Sequence, residues 1–525
     1  MTATGRAGAA RRTGAAAVVC LGLFMLGLDL TVLNVAVPGL QGDLDTSTAQ
    51  VQWIVDGYAV VLGGTVLAVG AFTDAWGRRR SFVCGVAVCA GASLGGALAA
   101  HPGQVIAARC VMGAGAALLM PATLAVLHHL FPEPRLRGRA IAAWAAVGGM
   151  GGLCGPVIGG WLVEHYSWRA AFWINLPPAG VLVVLALLLV PESCTKRRAG
   201  FDVPGAVLSA AGLLALVWSL TESPHRGWTS PAVLTGFAAA VLLLAAFVVR
   251  QQRTPAPMLP LSLLGVPGIG VAAAALALMS FAMFGALFVL TLYLQGVLGF
   301  SPWQAGLRTL PLPGGLALGA GCAVPLRNLL GGRVPVVAGL TLVSAGFAVL
   351  ATTTSDSGYP HCAAFQLVAG VGAGLVAAAA TESVMGSVAT ERAGLGSAIN
   401  DATRQVGSAL GVAVQGSLLA AVFTARFRTS LTDLHAPAGV TAAAEHSMLS
   451  VPAQARRLPP ALRDGVLSAA RGAFTDAMTL TAVVAGAVTL LTAVAAARWL
   501  GRPPRPRDTD AATPAAAPPA LAADR

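Results

Sequence analysis

Residues 148–160 read GGMGGLCGPVIGG. Gly151, Gly155 and Gly159 fall four apart and make one smooth stripe on a helix, while Gly148, Gly152 and Gly160 make a neighbouring row with Pro156 between. Glycine stripes let the backbones of membrane helices touch, and an interior proline bends a helix. The stretch lies inside an apolar run, 139–163, long enough to cross the ~30 Å hydrocarbon core of a bilayer.

The whole chain has that character. Of 525 residues, 56% are hydrophobic and 10% charged, and the mean hydropathy is +0.75. A soluble domain carries roughly 25% charged residues, so lipid is the expected solvent. Fourteen spans are expected: 15–37, 51–70, 81–100, 104–131, 139–163, 172–190, 203–222, 231–249, 268–292, 304–325, 335–352, 361–385, 401–424 and 475–499. The first is too long for a signal peptide, shows no clear cleavage site and contains Asp29. The fold expected is an all-α integral membrane protein.

The net charge of +12 does not mark a nucleic-acid binder, because no basic helix carries interleaved aromatics. The arginines instead cluster between spans: Arg78, Arg79 and Arg80; Arg135, Arg137 and Arg139; Lys196, Arg197 and Arg198; Arg250 and Arg253; Arg327 and Arg333. All fall on the side of the N-terminal tail, which places both termini in the cytoplasm. The stretch after span 13, with Arg426, Arg428, Arg456, Arg457, Arg463 and Arg471, runs against the rule. Longer loops translocate with less regard to charge. Abundant Ala, Gly and Arg, with Lys196 the only lysine, points to a GC-rich bacterial genome and so to a bacterial cytoplasmic membrane.

The spans divide six, two, six. The expected organisation is a cytoplasmic tail (1–14), a six-helix bundle (15–190) and a linker with two extra helices (191–267). A second six-helix bundle (268–499) follows, with an extracellular loop at 425–474, then a Pro- and Ala-rich disordered tail (500–525). The eight cysteines are irregularly spaced and form neither a disulfide framework nor a zinc site. His128 and His129 lack metal-ligand companions, no P-loop is present, and no nucleophile–base arrangement stands out. No cofactor, metal or catalytic activity is expected.

MLGLDLTVLNVAVP (25–38) sets Asp29 in an apolar run, where a lone carboxylate costs roughly 2.5–3.5 kcal/mol. WIVDGY (53–58) carries Asp56, and QVIAARCVMGAGAALLMP (104–121) carries Arg109. At ~1.5 Å per residue, Asp56 and Arg109 lie about 7–8 Å below the outer surface and Asp29 about 13 Å. The three are expected to share one polar cluster, which would offset the insertion cost. A packing hydrogen bond for Asp29, and an Arg109 that snorkels to the interface, are the bland alternatives.

GAFTDAWGRRR (70–80) resembles the 2–3 loop signature of the major facilitator superfamily. The resemblance implies a cytoplasmic latch from Gly70, Asp74, Gly77, Arg78 and Arg79, with Asp74 meeting the start of span 13 near Asn400. The chain departs from the family at Ala75, where a basic residue is usual. The pattern Gly151, Gly155, Pro156, Gly159, Gly160 resembles the superfamily's antiporter motif, and LDLTVLNVAVP and WIVDGY resemble its fourteen-helix drug:proton antiporter branch. Arg109 matches a family arginine implicated in proton transfer. ERAGLGSAINDATRQVGSALGVAVQGSLL (391–419) resembles the entry into helix 13, with Asp401 and Arg404 three apart; Asn400 or Asp401 can equally be a helix cap. Glu382 is a further candidate titrating group. LYLQGVLGFSPWQAGLRTLP (292–311) reads as the helix 9–10 junction, with Arg308 at the outer interface.

The resemblance implies a monomeric secondary transporter that exports an amphiphilic small molecule against protons, with lipid as its surroundings. Asp29, Asp56, Arg109, Asp401 and Arg404 would handle the proton. Proton-coupled uptake of a small metabolite on the same fold is the alternative.

Overall fold

The computed structural model describes residues 3–131, 133–194, 202–254, 257, 261–354, 357–386, 393–434, 451, 455 and 458–500. These residues hold helices and no strand. The first bundle comprises α1 (Ala3–Leu44), α2 (Thr48–Trp76), α3 (Arg78–Ala97), α4 (Pro102–Leu130), α5 (Pro134–His165) and α6 (Ala170–Leu189). A central pair follows, α7 (Val203–Arg226) and α8 (Pro231–Arg253). The second bundle comprises α9 (Pro267–Leu292, ending in a wide turn Tyr293–Val297), α10 (Pro302–Leu330), α11 (Arg333–Ala351), α12 (Tyr359–Gly386), α13 (Ala393–Asp433) and α14 (Pro460–Trp499). Among the described residues twelve helices are long and apolar enough to cross a membrane. With α2 at 29 residues and α5 at 32, the fourteen expected spans are accounted for.

Lipid-facing composition explains the helices, and their ends are fixed by local hydrogen bonds. Ser47 accepts from Gln50 N–H at 3.2 Å while the Gln50 side chain accepts from Ser47 N–H at 3.0 Å, closing the N-terminus of α2. Gly77 has φ 121°, a backbone few side chains tolerate, and turns the chain sharply into α3.

Apolar packing centres on each half, with Val37, Val51 and Ala402 crossing between them. One buried cluster joins α1–α4 and α6 through residues such as Val19, Leu26, Tyr58, Phe82, Leu119 and Phe172. Another joins α9, α11, α12, α13 and α14 through Leu276, Leu340, Phe365, Phe427 and Phe474. A third, smaller cluster holds Ala59 and Val60 of α2, Leu213 and Val217 of α7, and Ala409 and Ala413 of α13. The helix α7 therefore lies along the seam between the bundles. Ser209 donates to Gly64 O at 2.6 Å, and Ser417 donates to Leu220 O at 2.7 Å, tying it to both halves. The helix α8 packs on α7 and exposes Leu234, Val241 and Leu242.

The pair is clasped at its basic end by Asp202, which accepts from Gly205 N–H (3.0 Å), Arg250 Nε (2.6 Å) and Gln251 Nε2 (2.9 Å). Burial pushes the Asp202 carboxyl up, but Arg250 and the two amide donors outweigh it and hold it below the ordinary 3.8.

Several boundaries differ from expectation. The α1 helix begins at Ala3, inside the expected tail, because an Ala-rich segment continues the helix readily. The expected 425–474 loop is helical at both ends: α13 runs to Asp433 and α14 starts at Pro460, with Phe427, Leu431, Val466 and Ala470 buried. The 435–450 stretch and residues 501–525 of the expected tail, along with residues 1 and 2, lie outside the described residues.

Candidate functional site

Asp29 is 4% exposed and fully partnered. Its Oδ2 lies 2.7 Å from Arg109 Nη1 and its Oδ1 accepts from Asn175 Nδ2 at 2.8 Å. Asn175 also donates to Ser93 Oγ at 3.2 Å, which itself donates to Phe172 O at 2.8 Å. Arg109 donates from Nε to Ile54 O at 3.1 Å and stacks over the Tyr58 ring at 4.5 Å. Five helices of one bundle thus converge on a single ion pair. The expected partnership of Asp29 with Arg109 is present, and it offsets the cost of burying both charges. The sequence reading missed Asn175; an amide inside an apolar run is the signal that marks it.

Asp56 does not join this cluster. Ile54 and Tyr58, two residues to either side, face Arg109, and a step of two residues is about 200° round a helix. Asp56 therefore points the opposite way. Gln52, four residues before it, donates to Val412 O of α13 at 3.4 Å, and Val60, four after it, packs with Ala409 and Ala413. That face of α2 meets the second bundle and α7. Asp56 is 1% exposed and both carboxyl oxygens lack a hydrogen-bond partner. The shared cluster expected from the sequence therefore holds Asp29 and Arg109 but not Asp56, because Asp56 faces the other way.

The glycine-rich stretch of α5 packs on two partners. A Cβ on Gly159 would sit 2.7 Å from Val32 Cγ2, and one on Gly151 or Gly155 would collide with Phe24 O or Thr31 Oγ1 of α1. Thr31 also donates to Gly152 O at 3.1 Å across this contact. The second face meets α10: a Cβ on Gly160 would lie 2.5 Å from Pro302 O, and Pro156 O presses on Gly306. Gly151, Gly155 and Gly159 bind α5 into its own bundle, whereas Pro156 and Gly160 bind the two bundles together.

The far end, opposite the termini, is joined at further points. Gln295 Nε2 donates to Val35 O at 3.3 Å, and Glu164 Oε2 accepts from Ser301 Oγ at 2.6 Å and Trp303 N–H at 3.0 Å. Arg308 lies against the Phe300 ring at 3.9 Å.

The second-bundle candidates lie deeper in a helix than expected. Because α13 starts at Ala393, Asn400 and Asp401 stand two turns inside it and cap nothing. Asn400 Oδ1 accepts from Thr381 Oγ1 at 2.9 Å; Asp401 is buried and Arg404 half-buried. Glu382 pairs with Arg327 across α12 and α10. Of the latch expected from the sequence, the Asp74 side chain and the surroundings of Gly70 lie outside the described residues, as do the side chains at 391–398. Gly77, Arg78 and Arg79 are described. Arg78 N–H donates to Ser193 O at 3.0 Å, and Arg79 N–H donates to Glu192 Oε1 at 3.2 Å. Arg79 and Arg80 each place Nε 3.8 Å from Glu192 Oε2. Glu192 was missed, although an acid just past span 6 on the arginine-rich side was a readable signal. Among the described residues no cluster of His, Cys, Asp or Glu could hold a metal ion.

Residues 19–412 match the Major Facilitator Superfamily. The chain is 33% identical over 485 residues to the tetracenomycin C resistance and export protein of Streptomyces glaucescens, spanning 91% of this chain and 90% of that one. It is 35% identical over 408 residues to the puromycin resistance protein pur8 of Streptomyces alboniger, with 77% and 81% covered. It is 33% identical over 484 residues to the multidrug efflux pump LfrA of Mycolicibacterium smegmatis, with 91% and 94% covered. Among solved structures it superposes on an inward-facing, occupied bacterial homolog of the human lysosomal transporter Spinster, with a TM-score of 0.65 at 16% identity, covering 93% and 97%. That likeness concerns the fold alone. With two six-helix bundles, a glycine-striped α5 and relatives that resist or export drugs, the chain belongs to the Major Facilitator Superfamily, among transporters of the drug:proton antiporter type.

Proposed function

We propose that this protein exports an amphiphilic small molecule, an antibiotic or related secondary metabolite, across a bacterial cytoplasmic membrane in exchange for protons. It works as a monomer, with both termini in the cytoplasm and the far end outside. The relatives supply the direction and the class of cargo: tetracenomycin C and puromycin appear in their names.

The observation that carries proton exchange is Asp56. A buried carboxylate without a donor is strongly disfavoured, so the neutral acid is the form this seam tolerates. When the bundles part at the far end, water reaches Asp56 and the charged form becomes accessible. Protonation is then tied to which side is open. The Asp29–Arg109 pair, held by Asn175 and Tyr58, keeps the first bundle rigid during that motion and offers a second carboxyl if the arginine moves away. Asp401 and Arg404 on α13, across the same seam, complete the set of candidate proton-handling groups. Each inward proton gains about 2.3 kcal/mol per 100 mV, which supports roughly 50-fold accumulation at tenfold per 1.4 kcal/mol.

The test is a pump-deficient bacterial host with and without the gene, challenged with puromycin, tetracenomycin C and a cationic dye. Export predicts a raised inhibitory concentration for at least one compound and lower dye retention. Unchanged resistance throughout, or increased retention, would overturn it.

A further inference from the structure

The α5 helix carries a third feature beyond its two glycine-lined contacts. Pro156, Gly160 and Glu164 stand four residues apart and so share one face, and each meets α10. Pro156 O presses on Gly306, Gly160 faces Pro302 O, and Glu164 Oε2 accepts from both Ser301 Oγ and Trp303 N–H, at 2.6 and 3.0 Å. The α1-facing stripe of the same helix is closed by backbone contacts deep in the bundle. The α10-facing stripe ends at the rim in an exposed carboxylate. Gln52 and Gln295 make the other named far-end contacts with neutral amides.

We infer that Glu164 is the positioning residue that holds the α5–α10 seam shut at the far end, and that this seam is where the far end opens. The inference rests on the alternating-access reading above. Its physical basis is the difference between a buried and an exposed hydrogen-bonded charge. Parting Asp29 from Arg109 would strand two charges in a dry core, so that contact cannot serve as a hinge-side latch. Parting Glu164 from Ser301 and Trp303 hands all three groups to water, at a cost small enough to be crossed in every cycle. Ser301 serves both sides of the contact: it donates to Glu164 and accepts from Gln304 N–H at 3.3 Å, so its hydroxyl is aimed by the first turn of α10. A carboxylate that engages two donors on one oxygen fixes the register of α5 against α10, which an apolar contact would not.

The test reads the gate directly, without transport. Spin labels carried by unnatural amino acids replace Ala100, between α3 and α4, and Thr352, between α11 and α12; both positions are exposed at the far end of opposite bundles. Distances between them are measured by pulsed EPR in liposomes without cargo or gradient. The full-length wild type should show mainly the short, far-end-closed distance. Glu164→Ala should raise the open-to-closed ratio about tenfold, equivalent to about 1.4 kcal/mol, and Ser301→Ala should raise it by about threefold. Distributions that match wild type in both variants would overturn the inference. A residue that only supports the folded bundle would leave them unmoved. Because no substrate or proton is involved, failure of antiport in the wild type would sink the functional reading while leaving this result standing.

Discussion

Arg109 Nη1 stands 2.7 Å from Asp29 Oδ2, with the arginine 1% and the aspartate 4% exposed. The pair is bound in by Asn175, Ile54 O and the Tyr58 ring. Removing one partner leaves the other charged in a dry site, which typically costs about 3–5 kcal/mol. Asp29→Asn is therefore expected to lower thermal stability in detergent sharply and to abolish export. The double variant Asp29→Asn with Arg109→Gln should melt higher than Asp29→Asn alone, since no stranded cation remains. Arg109→Lys should not substitute, because an ammonium cannot reach Asp29, Ile54 O and the ring face together. Melting curves of wild type, Asp29→Asn, Arg109→Gln, the double variant and Arg109→Lys check this; strict additivity of the Asn and Gln changes would contradict it.

Close contact between α1 and α5 makes a sharp steric prediction. A side chain at Gly155 would run into Thr31, whereas nothing lies within 4 Å of a Cβ on Gly149. Gly155→Val should cost at least about 1–3 kcal/mol from overpacking and lose export. Gly149→Ala should change stability by less than about 0.5 kcal/mol. Yield of monodisperse protein and melting temperature measure both.

Asp202 gives the pH dependence. Its folded value lies below the ordinary 3.8, chiefly through Arg250 acting against burial. A depressed carboxyl stabilises the fold above the unfolded value, and that contribution fades as pH falls through the folded one. Asp202→Asn should therefore melt below wild type by an amount equivalent to about 1–3 kcal/mol at pH 7. The gap should stay constant down to about pH 5 and shrink as the pH drops below 3.8. Melting curves at stepped pH decide it; a gap that widens in acid would contradict the assignment.

Much of this was legible in the sequence, and the failures have a common cause. Span number and the grouping into six, two and six follow from composition, because a bilayer demands about 20 apolar residues per crossing. The positions of Asp29, Asp56 and Arg109 along their helices follow from rise per residue. Rotation about the helix axis does not. In water an amphipathic stripe reveals which face is inward; α2 is apolar nearly all round, so nothing in its sequence distinguished the Ile54–Tyr58 face from the Gln52–Asp56 face. That ambiguity put Asp56 beside Arg109 in the sequence reading and beside α13 in the structure. Helix ends failed for a related reason. The segment from Ala393 is rich in glycine, which locally weakens a helix, yet it forms the first turns of α13. Glu164 and Ser301 are 137 residues apart, and no local pattern brings them together.

The central claim is that Asp56 moves the proton and that its carboxyl contributes no hydrogen bond to the fold. The most direct measurement uses purified protein in vesicles loaded with a pH-sensitive dye, with Asp56→Asn beside wild type and the compound that proved protective in cells added on one side. The account predicts that wild type couples that compound to a change in luminal pH. Asp56→Asn, with a melting temperature matching wild type, should show at least a tenfold smaller proton flux. An Asp56→Asn protein that moves protons as fast as wild type, or one that fails to fold, would contradict it.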